Sequence, residues 1–94
     1  MRIRAIYLGV VRHKTGRGEE EYNLPDKSSL KDFLMKVAER YPALKDIIYS
    51  LNENPADPTL IVALNGSSVK ISEGDNIMLK DDDVITLMTV IGGG

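Results

Sequence analysis

Three consecutive glycines, Gly92, Gly93 and Gly94, close the sequence directly behind the strand-like run from Val84 to Ile91. Glycine has no Cβ, so such a segment can extend into a channel too narrow for other residues. Ordering one backbone residue costs roughly 1–2 kcal/mol, and glycine loses more freedom than other residues. A glycine tail therefore suits capture by a partner's groove. Its last group is an α-carboxylate with a pKa near ~3.5, ionised at neutral pH and able to attack phosphorus. Cysteine is absent. This excludes disulfides, thiolate metal sites and cysteine nucleophiles. If the chain carries labile sulfur, the Gly94 carboxylate is the attachment point left to it.

The remaining reactive residue types offer little. His13 is the single histidine, and no Ser or Cys context surrounds it that would make it a catalytic base. Lys14-Thr15-Gly16-Arg17-Gly18 is neither a phosphate-cradling loop nor a dinucleotide fingerprint. Lys80-Asp81-Asp82-Asp83 reads as a solvated turn, because calcium binding needs a longer, glycine-punctuated loop. No paired carboxylates, nucleophile motif or metal spacing marks a stand-alone enzyme.

The chain of 94 residues is expected to form one domain over residues 1–91, with 92–94 as a flexible glycine tail. Its net charge of −2 argues against a nucleic-acid partner. Arg2, Arg4, Arg12, Lys14 and Arg17 cluster early, and Glu19, Glu20 and Glu21 are expected to neutralise them across a hairpin. No apolar run approaches the roughly 20 residues of a membrane span, and no leader pattern is visible, so a cytoplasmic location is expected.

Several elements must position the tail. Arg2–Val11 is rich in Ile, Val, Tyr and Leu and predicts a strand. His13–Gly18 predicts a loop, and Glu19–Leu24 an antiparallel return. Ser28 and Ser29 offer an N-cap, and Asp32 completes an approximate capping box with Ser29. Leu30, Phe33, Leu34, Val37, Ala38 and Tyr41 then recur at helical spacing up to Pro42. Leu44, Ile47, Ile48 and Leu51 suggest a short second helix, and residues 52–58 a loop. Thr59–Leu64 predicts a third strand, closed by the turn pair Asn65-Gly66. Val69–Ile71 suggests a short edge strand, and Val84–Ile91 the last strand. The two most apolar strands, first and last, belong side by side in the centre of a mixed sheet. The crossover between them must be right-handed. The fold expected is α+β, with four to five strands, one main helix packed on one face and a short second helix.

In this order the chain resembles the ubiquitin-like β-grasp sulfur carriers of the MoaD/ThiS family, MoaD being the small subunit of molybdopterin synthase. The resemblance covers nearly the whole chain. Ile3–Arg12, with Tyr7, Gly9, Val11 and Arg12, is similar to the family's opening segment. Leu60–Gly66 is similar to its strand ending in an Asn-Gly turn, and Leu79–Val84 with the terminal Gly93-Gly94 to its closing block. Asp82 stands where the family's closing turn usually has glycine, and Asp accepts a left-handed backbone better than most residues. The prolines common before the final glycines of MoaD-type chains are absent here, and three glycines stand where two are typical.

The resemblance implies that Gly94 is adenylated by a MoeB/ThiF-like activating enzyme and converted to a thiocarboxylate. That thiocarboxylate then donates sulfur in molybdopterin biosynthesis, to a MoaE-like large synthase subunit or another acceptor. ATP and magnesium would be bound by the activating partner and no cofactor by this chain, which acts as carrier and cosubstrate rather than enzyme. Gly92, Gly93, Ile91, Val90, Leu87, Leu8 and Val10 are the expected partner-binding residues, with Leu8, Val10, Leu87 and Val90 on the sheet face away from the helix. The same plan serves a protein modifier joined to lysines through its final glycine, and sulfur donors for tRNA thiolation or thiamine synthesis. A β-grasp binding module with incidental glycines is the plainest alternative.

Overall fold

The computed structural model describes residues 1–49 and 58–91, and side chains only at 1–49 and 60–89. Strand β1 (Arg2–Tyr7) leads into helix α1 (Gly9–Thr15), and β2 (Glu19–Asn23) returns antiparallel to β1. Helix α2 (Leu30–Arg40) follows, then a 3₁₀ turn at Pro42–Leu44 and the short helix α3 (Lys45–Ile48). Strands β3 (Pro58–Leu64) and β4 (Ser67–Val69) form a hairpin, and a 3₁₀ segment (Ile71–Asn76) leads to β5 (Val84–Ile91). The sheet order is β2-β1-β5-β3-β4, with β1 and β5 parallel and every other pairing antiparallel. This is a β-grasp fold, with the first and last strands adjacent as their apolar content requires. Leu51 and residues 52–57 of the loop expected at 52–58 lie outside the described residues, as do Gly92, Gly93 and Gly94, and Pro58 opens β3 instead of ending that loop.

Local chemistry explains the main elements. Ser29 caps α2: its hydroxyl accepts from the Asp32 N–H at 3.2 Å, while the Asp32 carboxylate accepts from the Ser29 N–H at 2.9 Å. Both orphan donors are thereby satisfied, which stabilises such a helix start by about 1 kcal/mol. The stripe Leu30, Phe33, Leu34, Val37 and Ala38 is buried against the sheet. Asn65 and Gly66 have φ of 50° and 88°, the primed turn that matches the twist of a two-residue hairpin. Asp82 adopts φ 69°, so the closing turn keeps its left-handed residue without glycine. The side chain of Asp83 accepts from Asn65 Nδ2 at 3.0 Å and from the Lys80 N–H at 2.8 Å. Asn65 Oδ1 accepts from the Val84 N–H at 2.8 Å, so the two turns are tied at the end of the sheet where β5 begins.

The first hairpin departs from the sequence expectation. The strand stops at Tyr7 rather than Val11, and a helix takes the end of the expected strand together with His13–Thr15, the first half of the expected loop. Gly9, at φ 58°, turns the chain out of the sheet, and Gly16, at φ 74°, ends the helix. Seven residues are too few to display a helical period, and the pair Val10-Val11 imitates strand composition. Charge pairing follows the expectation only in part. Arg4 stands opposite Glu21 across the hairpin and Arg17 meets Glu20 at 3.9 Å, but Arg2 meets Asp82 at 3.3 Å, and the Glu20 carboxylate turns into the layer beneath the helices. The short edge strand is Ser67–Val69, earlier than the expected Val69–Ile71.

Candidate functional site at the root of the tail

The parallel ladder fixes where β5 releases the tail. Tyr7 pairs with Leu87, and the Leu8 N–H donates to the Leu87 carbonyl at 3.0 Å. Beyond that point β5 continues to Ile91, held by β3 through the register Pro58↔Ile91 and Thr59↔Val90. Helix α1 packs against β5 where β1 has ended. The segment entering Gly92 therefore continues a strand that is paired on both sides up to Leu87 and on the β3 side alone from Met88 to Ile91.

The two faces of the sheet divide the expected docking residues. Ile3, Ala5, Tyr7, Leu60, Val62, Ile85 and Leu87 point to the helical side and are buried. Leu87 is 0% exposed and so is not a surface residue. Its parity along β5 matches Ile85, and packing under the helices takes it from any partner. Ile6, Ile61, Ala63, Thr86 and Met88 occupy the opposite face and are half-buried. The registers Ile6↔Thr86, Thr86↔Ala63 and Met88↔Ile61 make them one contiguous strip across three strands. Leu8 and Val10 are exposed, but at the start of α1 rather than on this strip. The side chains of Val90 and Ile91 lie outside the described ones. Sequence reasoning did not name Ile6, Ile61 or Met88. The signal was present in strand alternation: once Ile85 and Leu87 are assigned to the core, Thr86 and Met88 must face away.

A polar cluster, also unread in the sequence, locks the layer above the tail's root. Tyr7 and Tyr22 donate to Glu20 Oε1 at 2.6 and 2.8 Å, and Tyr41 donates to Glu20 Oε2 at 3.0 Å. The Tyr7 and Tyr22 hydroxyls are themselves 2.7 Å apart, so two protons serve three short contacts. Arg40 approaches Glu20 Oε2 at 3.4 Å and also lies over the Tyr22 ring, 4.7 Å from its centroid. Burial works to raise the Glu20 carboxyl, but the three tyrosine hydroxyls and Arg40 outweigh it and hold the group below the usual carboxylate range. Burial, reinforced by the Glu20 charge, pushes the Tyr7 and Tyr22 hydroxyls well above their ordinary range. These phenols stay protonated as donors and do not act as bases. The cluster ties β1, β2 and the end of α2 together. The alternation of Glu20 and Tyr22 along β2 was the one clue to it.

Among the described residues no three His, Asp or Glu side chains gather closely enough to hold a metal ion, and no helix is long and apolar enough to cross a membrane. The site's resources are a rooted strand, a half-buried apolar strip and an exposed helix beside it.

The profile of the ThiS family matches residues 5–94. The chain belongs to the ThiS family. The match runs through the last glycine. No curated protein matches the chain. Among solved structures, the fold is similar to a putative molybdopterin converting factor subunit 1 from Pyrococcus furiosus, with 23% identity, 97% and 99% of the two chains covered and a TM-score of 0.74. It is also similar to small archaeal modifier protein 1 from Methanosarcina acetivorans, with 22% identity, 99% and 96% covered and a TM-score of 0.77. A third likeness is to a chain in the complex of subunits 1 and 2 of molybdopterin-converting factor from Helicobacter pylori, at 21% identity, full coverage of both chains and a TM-score of 0.63. At these identities the structures establish a shared ubiquitin-like fold.

Proposed function

We propose that this ThiS-family chain is a ubiquitin-like sulfur carrier whose reactive group is the Gly94 carboxylate. The observation that carries the reading is the family match extending through Gly94, behind a β5 strand anchored at the sheet's centre. A MoeB/ThiF-like activating enzyme binds ATP and magnesium. The carboxylate oxygen attacks the α-phosphorus, pyrophosphate leaves, and an acyl-adenylate forms. A hydrosulfide-class donor then attacks the acyl carbon. AMP and a proton are released, leaving a thiocarboxylate. Glycine leaves that carbon open to attack because it has no side chain. The chain itself is a cosubstrate. The sulfur goes to molybdopterin formation on a MoaE-like synthase subunit, a reading supported by the likeness to two molybdopterin converting factor subunits.

The half-buried strip of Ile6, Ile61, Ala63, Thr86 and Met88 serves as the body's docking face. Interface cores of this kind gain from removing apolar surface from water while a polar rim excludes wrong partners. Conjugation to lysines is the second reading, favoured by the likeness to small archaeal modifier protein 1.

Mass spectrometry of the protein from its native cell separates these readings. A chain ending at Gly94 with one oxygen replaced by sulfur supports the carrier, and glycine remnants on lysines of other proteins support the modifier. A native product that continues past Gly94 without processing defeats both. In vitro, Gly93→Phe is expected to change stability by less than about 0.5 kcal/mol. It should lower ATP–pyrophosphate exchange by about 100-fold or more, because a tail displaced by an ångström loses near-attack geometry.

A further inference from the structure

Helix α1 holds an unbalanced charge. Residues 9–18 include Arg12, Lys14 and Arg17 and no acid. The net −2 of the whole chain therefore divides into +3 on this segment and −5 on the rest. Of these three cations only Arg17 meets an acid among the described residues, Glu20 at 3.9 Å, and that carboxylate already serves three tyrosines and Arg40. Arg12 and Lys14 enter no ion pair among the described residues. Complementing the helix dipole needs one cation in the last turn and is worth about 0.3–1 kcal/mol. It leaves the other charges, and the neighbouring apolar exposure, unaccounted for. Leu8 is 40% and Val10 37% exposed. Val10 and Lys14, four residues apart, share a helix face. Gly9, Arg12, His13 and Gly16 line a shallow depression of about 350 Å³ beside them.

The position of this patch gives it a role. It packs against β5, and the Leu8 N–H is bonded to the Leu87 carbonyl. Seven residues follow Leu87 to the end at Gly94, and at full extension they span at most about 25 Å. One partner can therefore grip α1 and reach the tail together. Adenylation brings the terminal carboxylate against ATP, so like charges must approach. The −5 of the remaining body adds to that repulsion. An acidic surface beside a partner's tail channel would attract the α1 patch, repel the rest of the body and so orient the encounter tail-first.

We propose that the basic face of α1, rimmed by Leu8 and Val10, docks an acidic surface of the enzyme that adenylates this chain. The inference rests on the adenylation reading above and adds a second contact, separate from the apolar strip on the sheet. The experiment is steady-state ATP–pyrophosphate exchange with the activating enzyme, varying the concentration of this protein at low and high salt. Arg12→Glu with Lys14→Glu should raise KM about 10-fold at low salt, leave kcat within about twofold, and flatten the salt dependence. Lys36→Glu with Lys45→Glu changes net charge equally on exposed positions of α2 and α3, and should leave KM near the wild-type value. If circular dichroism shows the Arg12/Lys14 double variant unfolded, Arg12→Gln with Lys14→Gln should show about half the effect on log KM. An Arg12/Lys14 variant with wild-type KM at low salt, a loss confined to kcat, or an equal rise in the Lys36/Lys45 variant overturns the docking surface. Wild-type protein that supports no exchange instead defeats the adenylation reading itself, and this inference with it.

Discussion

The two faces of one sheet have different fates. On the helical face Ile3, Ala5, Tyr7, Val62, Ile85 and Leu87 are dry, and Leu30, Phe33 and Val37 of α2 close over them. On the other face Ile6, Ile61, Ala63, Thr86 and Met88 come from the same strands, alternate with the first set and remain half-buried. Strand geometry forces the alternation, but not the inequality. That arises because, among the described residues, α2 is the only long helix, and it covers one side of the sheet. The covered face holds the fold together. The open face is left able to gain free energy by meeting another protein, at the sheet from which the tail emerges.

Three substitutions sharpen this contrast. Leu87→Ala should produce the largest loss, about 2–5 kcal/mol, because it opens a cavity in a packed core. Chemical denaturation measures it. A loss below about 1 kcal/mol would mean the helical face is not the closed layer described here. Glu20→Gln comes next, at about 1–3 kcal/mol near neutral pH, since it removes the charge that three hydroxyls and Arg40 address. Its pH dependence has a definite sign. The folded pKa of Glu20 is lowered, so its stabilisation is complete above the unfolded value of about 4.3 and fades as pH falls through the folded value. Denaturation midpoints of wild type and Glu20→Gln should converge as pH is lowered below 4.3. A gap that stays constant into acid would place the stabilisation in packing rather than in charge.

Ile61→Thr should have the smallest effect on stability, under about 1 kcal/mol, because the site is half-buried and Thr keeps the strand preference. On the proposed docking role of this strip, it should nevertheless raise KM for the proposed activating enzyme several-fold, because it removes apolar contact. The comparison breaks if this substitution destabilises the protein as much as Leu87→Ala.

Much of this architecture was legible in the residues. Ser29 and Asp32 announced the start of α2, Asn65-Gly66 announced its hairpin, and the apolar runs placed the first and last strands together. These signals are local: each depends on bonds or periodicities within a few residues. Helix α1 was missed because Val10-Val11 has strand composition and seven residues show no period. Leu87 was assigned to the wrong surface because an almost wholly apolar strand does not reveal which parity faces the helix. The Tyr7, Tyr22, Tyr41 and Glu20 cluster joins four positions on three elements, and no spacing in the chain advertises such a meeting.

Composition and order were sufficient to expect an α+β domain whose first and last strands lie side by side, because hydrophobic period, caps and turn residues act at short range; the resemblance named it a β-grasp. Only the tertiary structure decided which half of each strand became core, that Glu20 is an inward anchor rather than a surface charge, and that α1 presents its cations beside the strand that carries the tail. Those outcomes depend on which surfaces a single long helix covers, a choice made by packing between segments distant in sequence.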